Sequence, residues 1–226
     1  MKTAAILLCA GHGERLAQGV DKALAPLAGR PLFSWSLESL QRCEAIHAIV
    51  IVGPARILRD ALDASGMAGA KVVAWVEGGR ERRDSVARGL AALPPDFAQI
   101  VIHDSARALV TPEVVRRVVG DALQHGAAIA AVPVADTLKR GSLETVEDTV
   151  PRASLWCAQT PQVFRRDWIE EAHRGSPVQA TDDAQLVEAA GRRVHLTPGD
   201  PVNFKITTPR DLELAEAWLT RAPARA

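Results

Sequence analysis

Several short segments combine residue types that can handle phosphate. The first is Cys9-Ala10-Gly11-His12-Gly13-Glu14-Arg15, with Lys22 a little further on. It follows a short apolar run, so it leaves the end of a buried strand. Small residues let the backbone approach a ligand, and a turn of exposed amides can cradle phosphate. Arg15 and Lys22 add positive charge on long side chains. The same GxGxxL pattern could open a dinucleotide-binding unit. That reading wants an acidic residue at the end of the second strand, where Val52-Gly53-Pro54-Ala55 stands, and a third glycine, where Leu16 stands. A Walker loop is missing. Glycine turn, arginine and lysine together suit a nucleoside triphosphate laid against a strand end.

Two further segments sit where strands should end. Glu77-Gly78-Gly79-Arg80-Glu81-Arg82-Arg83-Asp84-Ser85 leads into a helix. Its glycines and Ser85 can hydrogen-bond a base or ribose; an ordinary turn with a solvated, charged helix start is the alternative. In His103-Asp104-Ser105-Ala106-Arg107, Asp104 can hold Mg²⁺, which takes a few carboxylates together with phosphate oxygens and water. Arg107 can clamp an anionic substrate, and a structural Asp–Arg pair capping the turn is equally open. His103 reads as a packed or hydrogen-bonded histidine and is given no role. Asp136-Thr137-Leu138-Lys139-Arg140, Arg152, Thr160-Pro161-Gln162, Thr181-Asp182-Asp183 and Asn203-Phe204-Lys205 add polar groups. Each of them alone would be ordinary surface. No Ser/His/Asp order or HExxH pattern marks a hydrolase or zinc protease.

The elements that must position these residues alternate. Strands are expected at residues 4–8, 48–52, 71–76, 100–103 and 127–133. Helical periodicity marks residues 31–42, 57–64 and 83–93, and Thr111 with Pro112 opens another helix as N-cap and first helical residue. This β-α-β-α order argues for a mainly parallel sheet covered by helices, which binds ligands beyond the carboxyl ends of its strands. Residues 135–151 are polar and weakly periodic, as in a hairpin or arm leaving the sheet. Helices are expected at 167–174, 182–191 and 209–219, with a strand at 192–196.

Composition narrows the functions. The chain has 226 residues, with 27 Lys plus Arg balanced by 27 Asp plus Glu. A nucleic-acid coat needs a basic footprint that displaces counterions, so zero net charge argues against one. With no Tyr and only four Phe, composition also argues against stacking platforms for single strands. Cys9, Cys43 and Cys157 lie far apart in no zinc or disulfide spacing, which points to a reducing cytoplasm. The apolar stretch 3–10 is too short to span a bilayer. The length suits a single domain.

Taken in order, the segments read AGxGxR…K, GGxxRxxSV, HDxAR, DTxKR, TPQxF, TDDAxLVE and NxKxTTPxDLxxAE. From about Ala4 to Ala217 the chain resembles the 2-C-methyl-D-erythritol 4-phosphate cytidylyltransferases. The glycine motif is shared by many nucleotidyltransferases, whereas the later segments are specific. The resemblance implies a Rossmann-like nucleotidyltransferase fold with a protruding β-arm at about residues 135–154. It implies Mg²⁺-dependent transfer of the cytidylyl group of CTP to methylerythritol 4-phosphate, in the non-mevalonate isoprenoid pathway, and no additional cyclase domain of the fused enzymes.

It also implies residue roles. Arg15 and Lys22 meet the CTP phosphates, and Ala10, Gly11, Gly13, Gly79 and Ser85 surround the nucleotide. Asp104 serves metal or substrate. Arg107, Thr160, Thr181 and Lys205 line the acceptor side. Thr137 and Arg152 lie on the arm, which reaches into a partner subunit of a homodimer. Asp21, Ala23, Arg80 and Ala108 depart from the family's usual residues. The stretch 19–24 is similar to molybdenum-cofactor nucleotidyltransferases, which keep the lysine. A ribitol 5-phosphate cytidylyltransferase is a near alternative, and a nicotinamide-binding oxidoreductase is an alternative of a different class.

Overall fold

The computed structural model describes residues 1–10, 21–175 and 180–221. Its first strand, β1 (Thr3–Leu8), is buried along its whole length. Ala4, Ile6 and Leu8 enter one apolar layer, while Ala5, Leu7 and the following Cys9 enter the other. A strand with helices on both faces needs apolar residues at every position, which is why this run shows no alternation.

A tiny hairpin, β2 (Pro26–Leu27) and β3 (Arg30–Pro31), leads into α1 (Leu32–Arg42). Then come β4 (Ala48–Val52), α2 (Ala55–Ala64), β5 (Val72–Val76), α3 (Arg82–Ala92), β6 (Gln99–Asp104), α4 (Pro112–His125) and β7 (Ala127–Pro133). These match the expected elements to within a residue or two. Thr111 caps α4 as expected, accepting from the Val114 N–H.

The chain then forms β8 (Leu138–Gly141), β9 (Val146–Val150), β10 (Trp156–Arg165), α5 (Arg166–Gly175), α6 (Asp183–Ala189), β11 (His195–Pro198) and α7 (Pro209–Arg221). The seven-stranded sheet has the order β5-β4-β1-β6-β10-β7-β11. Every neighbouring pair is parallel except those of β10, which runs against both β6 and β7. Side chains of α1, α2 and α4 fill one layer, and those of α3, α5 and α6 the other. Leu27, Leu32, Leu109, Ile206 and Ala215 make a third cluster beneath α7. The carboxyl ends of β1, β4, β5 and β6 therefore open on one rim.

Three features differ from the sequence expectations. No strand was expected over β10, because Pro161 interrupts its pattern and proline cannot donate to a ladder. A register shift between Ala158 and Gln162 accommodates it. The strand expected at 192–196 lies instead at His195–Pro198, where it pairs with residues 128–131 of β7. The β2–β3 hairpin had no sequence signal. Residues 135–151 do contain a hairpin: β8 and β9 form their own two-stranded sheet, with Leu143 and Val146 exposed.

Candidate active site

Asp104 ends β6, and its side chain is only 13% exposed. The ammonium of Lys205 donates to Oδ2 at 2.8 Å, and Arg82 Nε lies 3.5 Å from Oδ1. The Asp104 backbone N–H donates to the Thr160 hydroxyl at 3.1 Å, so the bulge in β10 replaces a ladder acceptor with a side chain. Burial alone would push the Asp104 pKa up. Arg82, and after it Lys205, outweigh burial and hold it well below the usual carboxylate range, so the group is anionic at neutral pH.

The distant motifs converge here because they are stitched together. Asn203 Nδ2 donates to the Thr160 carbonyl at 2.9 Å, and the Ile206 N–H donates to the Ala106 carbonyl at 2.8 Å. These bonds fix the loop that carries Lys205. Gln162 on β10 donates to Asp182 at 2.7 Å and accepts from the Ala184 N–H at 3.2 Å, so it seats the start of α6.

Two cavities adjoin at the rim. The smaller, 130 Å³, is lined by Leu8, Cys9, Ala10, Lys22, Arg82, Asp104 and Lys205, among others. The other, 380 Å³, is lined by Ala10, Gly53, Gly78, Gly79, Arg80, Glu81 and Arg82, with Asp21 at its side. Ala10 and Arg82 border both. A larger cavity, 790 Å³, lies at the opposite end of the sheet, by Gln99, Gly126, Arg165 and Trp168, away from the strand ends where such sheets bind ligands.

The glycine-lined wall is rigid. A Cβ on Gly78 would stand 2.4 Å from that of Ala10, and one on Gly79 would stand 2.1 Å from that of Asp84. Only glycine fits so close an approach. The Gly79 N–H donates to Ser85 Oγ at 3.0 Å, which donates in turn to the Glu81 carbonyl at 3.2 Å. Glu81 and Asp84 form a capping box on α3.

The sequence-expected residues thus divide. Ala10, Lys22, Asp104 and Lys205 share one cavity, and Gly79, braced by Ser85, walls the other. Thr160 lies beneath Asp104. Arg107 does not pair with Asp104; it donates to the carbonyls of Asn203 at 2.9 Å and Ala158 at 3.2 Å, and it lines neither cavity. Thr181 donates to Gln185 Oε1 at 3.3 Å. Thr137 and Arg152 flank the hairpin, where Arg152 donates to the Ala135 carbonyl, and neither borders the cavities. Gly11, Gly13 and Arg15 lie outside the described residues.

His103 is fully buried, with Nδ1 3.0 Å from the Thr160 hydroxyl and Nε2 3.4 Å from the Arg107 carbonyl. Burial lowers its pKa to about 4, so it is neutral and structural. Burial pushes the Cys9 thiol up to about 12, which removes it as a nucleophile. Sequence reasoning gave no role to Arg82, Asp183 or Gln162. Their signal was membership of the segments GGxxR, TDD and TPQ, without an indication of what each side chain meets.

Among the described residues no set of three or more His, Cys, Asp or Glu side chains could hold a metal. Asp104, a single anionic carboxylate at a strand end, nevertheless fits Mg²⁺ that takes its remaining ligands from phosphate oxygens and water.

The sequence model of the 2-C-methyl-D-erythritol 4-phosphate cytidylyltransferases matches residues 3–221. The enzyme of that name from Gloeobacter violaceus is 41% identical, covering 95% of this chain and 94% of its own. That from Pelotomaculum thermopropionicum is 43% identical, with 99% and 97% covered. The crystal structure of the Thermus thermophilus enzyme superposes with a TM-score of 0.79 at 34% identity, over 98% of this chain and 100% of that one. The chain belongs to the 2-C-methyl-D-erythritol 4-phosphate cytidylyltransferase family.

Proposed function

We propose that the chain transfers the cytidylyl group of CTP to 2-C-methyl-D-erythritol 4-phosphate in isoprenoid biosynthesis, giving the CDP-alcohol and pyrophosphate. The observation that carries this reading is the pair of adjoining cavities. One is lined by Lys22, Arg82, Asp104 and Lys205, and the other is walled by closely packed glycines. The first suits the reacting phosphates and the second a base and ribose.

An oxygen of the acceptor phosphate attacks the α-phosphorus of CTP. The new P–O bond forms as the bond to the β-phosphate oxygen breaks, and pyrophosphate carries the electron pair away. Two polyanions must meet, so the chain's task is to position them and offset their charge. Lys22 serves the CTP phosphates, and Lys205 serves the acceptor phosphate. Asp104 fits the acceptor side and would be the protein ligand of Mg²⁺, which supplies charge neutralisation when bound. A phosphate dianion needs no general base near neutral pH, in keeping with a neutral His103 and an unreactive Cys9. Arg15, Gly11 and Gly13 act at the triphosphate by family motif.

Arg107, Thr160 and Thr181 support the acceptor side. Thr137 and Arg152 act across a homodimer through the β8–β9 arm, a reading supported by the arm's exposed apolar Leu143 and Val146. Three free cysteines favour a reducing cytoplasm, and among the described residues no helix is long and apolar enough to cross a membrane.

The test is Mg²⁺-dependent pyrophosphate release. CTP with methylerythritol 4-phosphate should release it, and CTP alone should not. Release only with another acceptor, such as ribitol 5-phosphate, would overturn the substrate assignment.

A further inference from the structure

Arg82 borders both cavities and stands between two carboxylates. Its Nη1 donates to Asp183 Oδ2 at 2.6 Å, whereas its Nε and Nη2 both reach the single oxygen Asp104 Oδ1 at 3.5 Å. The near partner is the better fixed. The Asp183 side chain is 1% exposed, and its second oxygen lies 3.0 Å from His173 Nε2. A carboxylate only accepts, so Nε2 carries the proton of that bond.

Three elements hold Asp183 in place. Asp182 caps α6 by accepting from the Gln185 N–H. Gln162 clasps the same turn from β10. The neighbour of Arg82, Arg83, donates to the His173 carbonyl at 2.7 Å and so ties the start of α3 to α5. Asp183 is thus an immobile anchor set behind the rim.

A guanidinium facing one carboxylate closes on it as a bidentate fork and takes up both oxygens. Here Nη1 is drawn to Asp183 instead, and the contacts of Nε and Nη2 to Asp104 stay long and converge on one oxygen. Asp104 thus meets Arg82 only through long contacts to Oδ1, while its Oδ2 takes the Lys205 ammonium at 2.8 Å.

We propose that Asp183 is a positioning residue that acts through Arg82: it keeps the guanidinium from closing on Asp104 as a bidentate fork and so leaves Oδ1 loosely held and open to the acceptor substrate. The acceptor part of this statement rests on the transferase reading above. That reading fails separately, if the unaltered enzyme releases no acceptor-dependent pyrophosphate.

The test is a double-mutant cycle with both Michaelis constants measured. Asp183→Asn removes the competing charge and lets Arg82 close on Asp104. The acceptor KM should rise about tenfold with the CTP KM within about twofold. Adding Arg82→Gln to Asp183→Asn should bring the acceptor KM back down, because the guanidinium that blocks Asp104 is gone. Equal rises in both KM values, or a double variant worse than Asp183→Asn, would overturn the proposal, since a merely structural Asp183 gives losses that accumulate.

A crystal structure of Asp183→Asn gives a readout independent of activity. Arg82 donating to both Asp104 oxygens at about 3.0 Å or less supports the proposal, and unchanged 3.5 Å contacts to Oδ1 alone overturn it. If Asp183→Asn does not fold, Arg82→Lys replaces it. An ammonium cannot fork between two carboxylates, so the acceptor KM alone should rise about fivefold. A CTP KM rising as much would overturn the proposal.

Discussion

The Lys205 ammonium stands 2.8 Å from the Asp104 carboxylate, across 101 positions of chain. The contact does two things at once. It helps Arg82 keep Asp104 anionic, and it sets a half-exposed ammonium in the lining of the smaller cavity. Replacing Lys205 by Ala should therefore lower kcat/KM by about 10²–10³-fold, the usual cost of removing one preorganised electrostatic donor. Lys205→Arg should restore part of that. Steady-state pyrophosphate release measures both, and near-normal turnover of Lys205→Ala would remove the lysine from the mechanism.

Gly79 has no room for a side chain: its Cβ would lie 3.0 Å from the Ser85 backbone nitrogen as well as against Asp84. Gly79→Ala should push the loop off Ser85 and weaken CTP binding by about tenfold or more, with acceptor binding little changed. Calorimetric titration with CTP checks this. Unchanged CTP affinity would show that the glycine wall does not face the nucleotide.

His103 makes stability depend on pH. Its folded pKa, about 4, lies below the ordinary value of 6.5 because burial disfavours the charged ring. Between those values the unfolded chain binds more protons, so stability is full above about pH 6.5 and is lost as pH falls toward 4. The expected loss between pH 7 and pH 5 is about 2 kcal/mol. His103→Gln cannot titrate and should flatten that slope, as read from urea midpoints at the two pH values. An equal slope in both proteins would assign the effect elsewhere.

Arg152 and Lys22 test the shared site. Lys22→Ala should lose about 2–4 kcal/mol of transition-state stabilisation, and Arg152→Ala should also be impaired. If the arm serves a partner subunit, mixing the two variants restores some activity, because a mixed dimer has one site with both residues intact. Heterodimers shown to form yet lacking any rescue would place Arg152 outside the partner's site.

Much of the layout was legible along the chain. Short apolar runs at β1, β4 and β6 read as strands buried on both faces, and the glycine and charged segments follow β1, β5 and β6 directly. The Thr111–Pro112 cap and the polar β8–β9 hairpin also carry local signals. The strand β10 did not, because Pro161 argues against a central strand until the bulge beside it is seen. The destination of Arg107 was also hidden: as a strand-end arginine it reads as a phosphate clamp, yet its guanidinium goes to the Ala158 and Asn203 carbonyls.

The sequence by itself determined the family and the parallel sheet, because periodicity and motif order are local properties of the chain. Only the tertiary structure decided the charge partners. Asp104 could pair with any of the 27 lysines and arginines. It meets Lys205 and Arg82 because the hydrogen bonds of Asn203, Ile206 and Thr160 bring one cation to the end of β6. The buried Asp183 holds the other in place. Ion pairing depends on distance in space, which spacing along the chain does not encode.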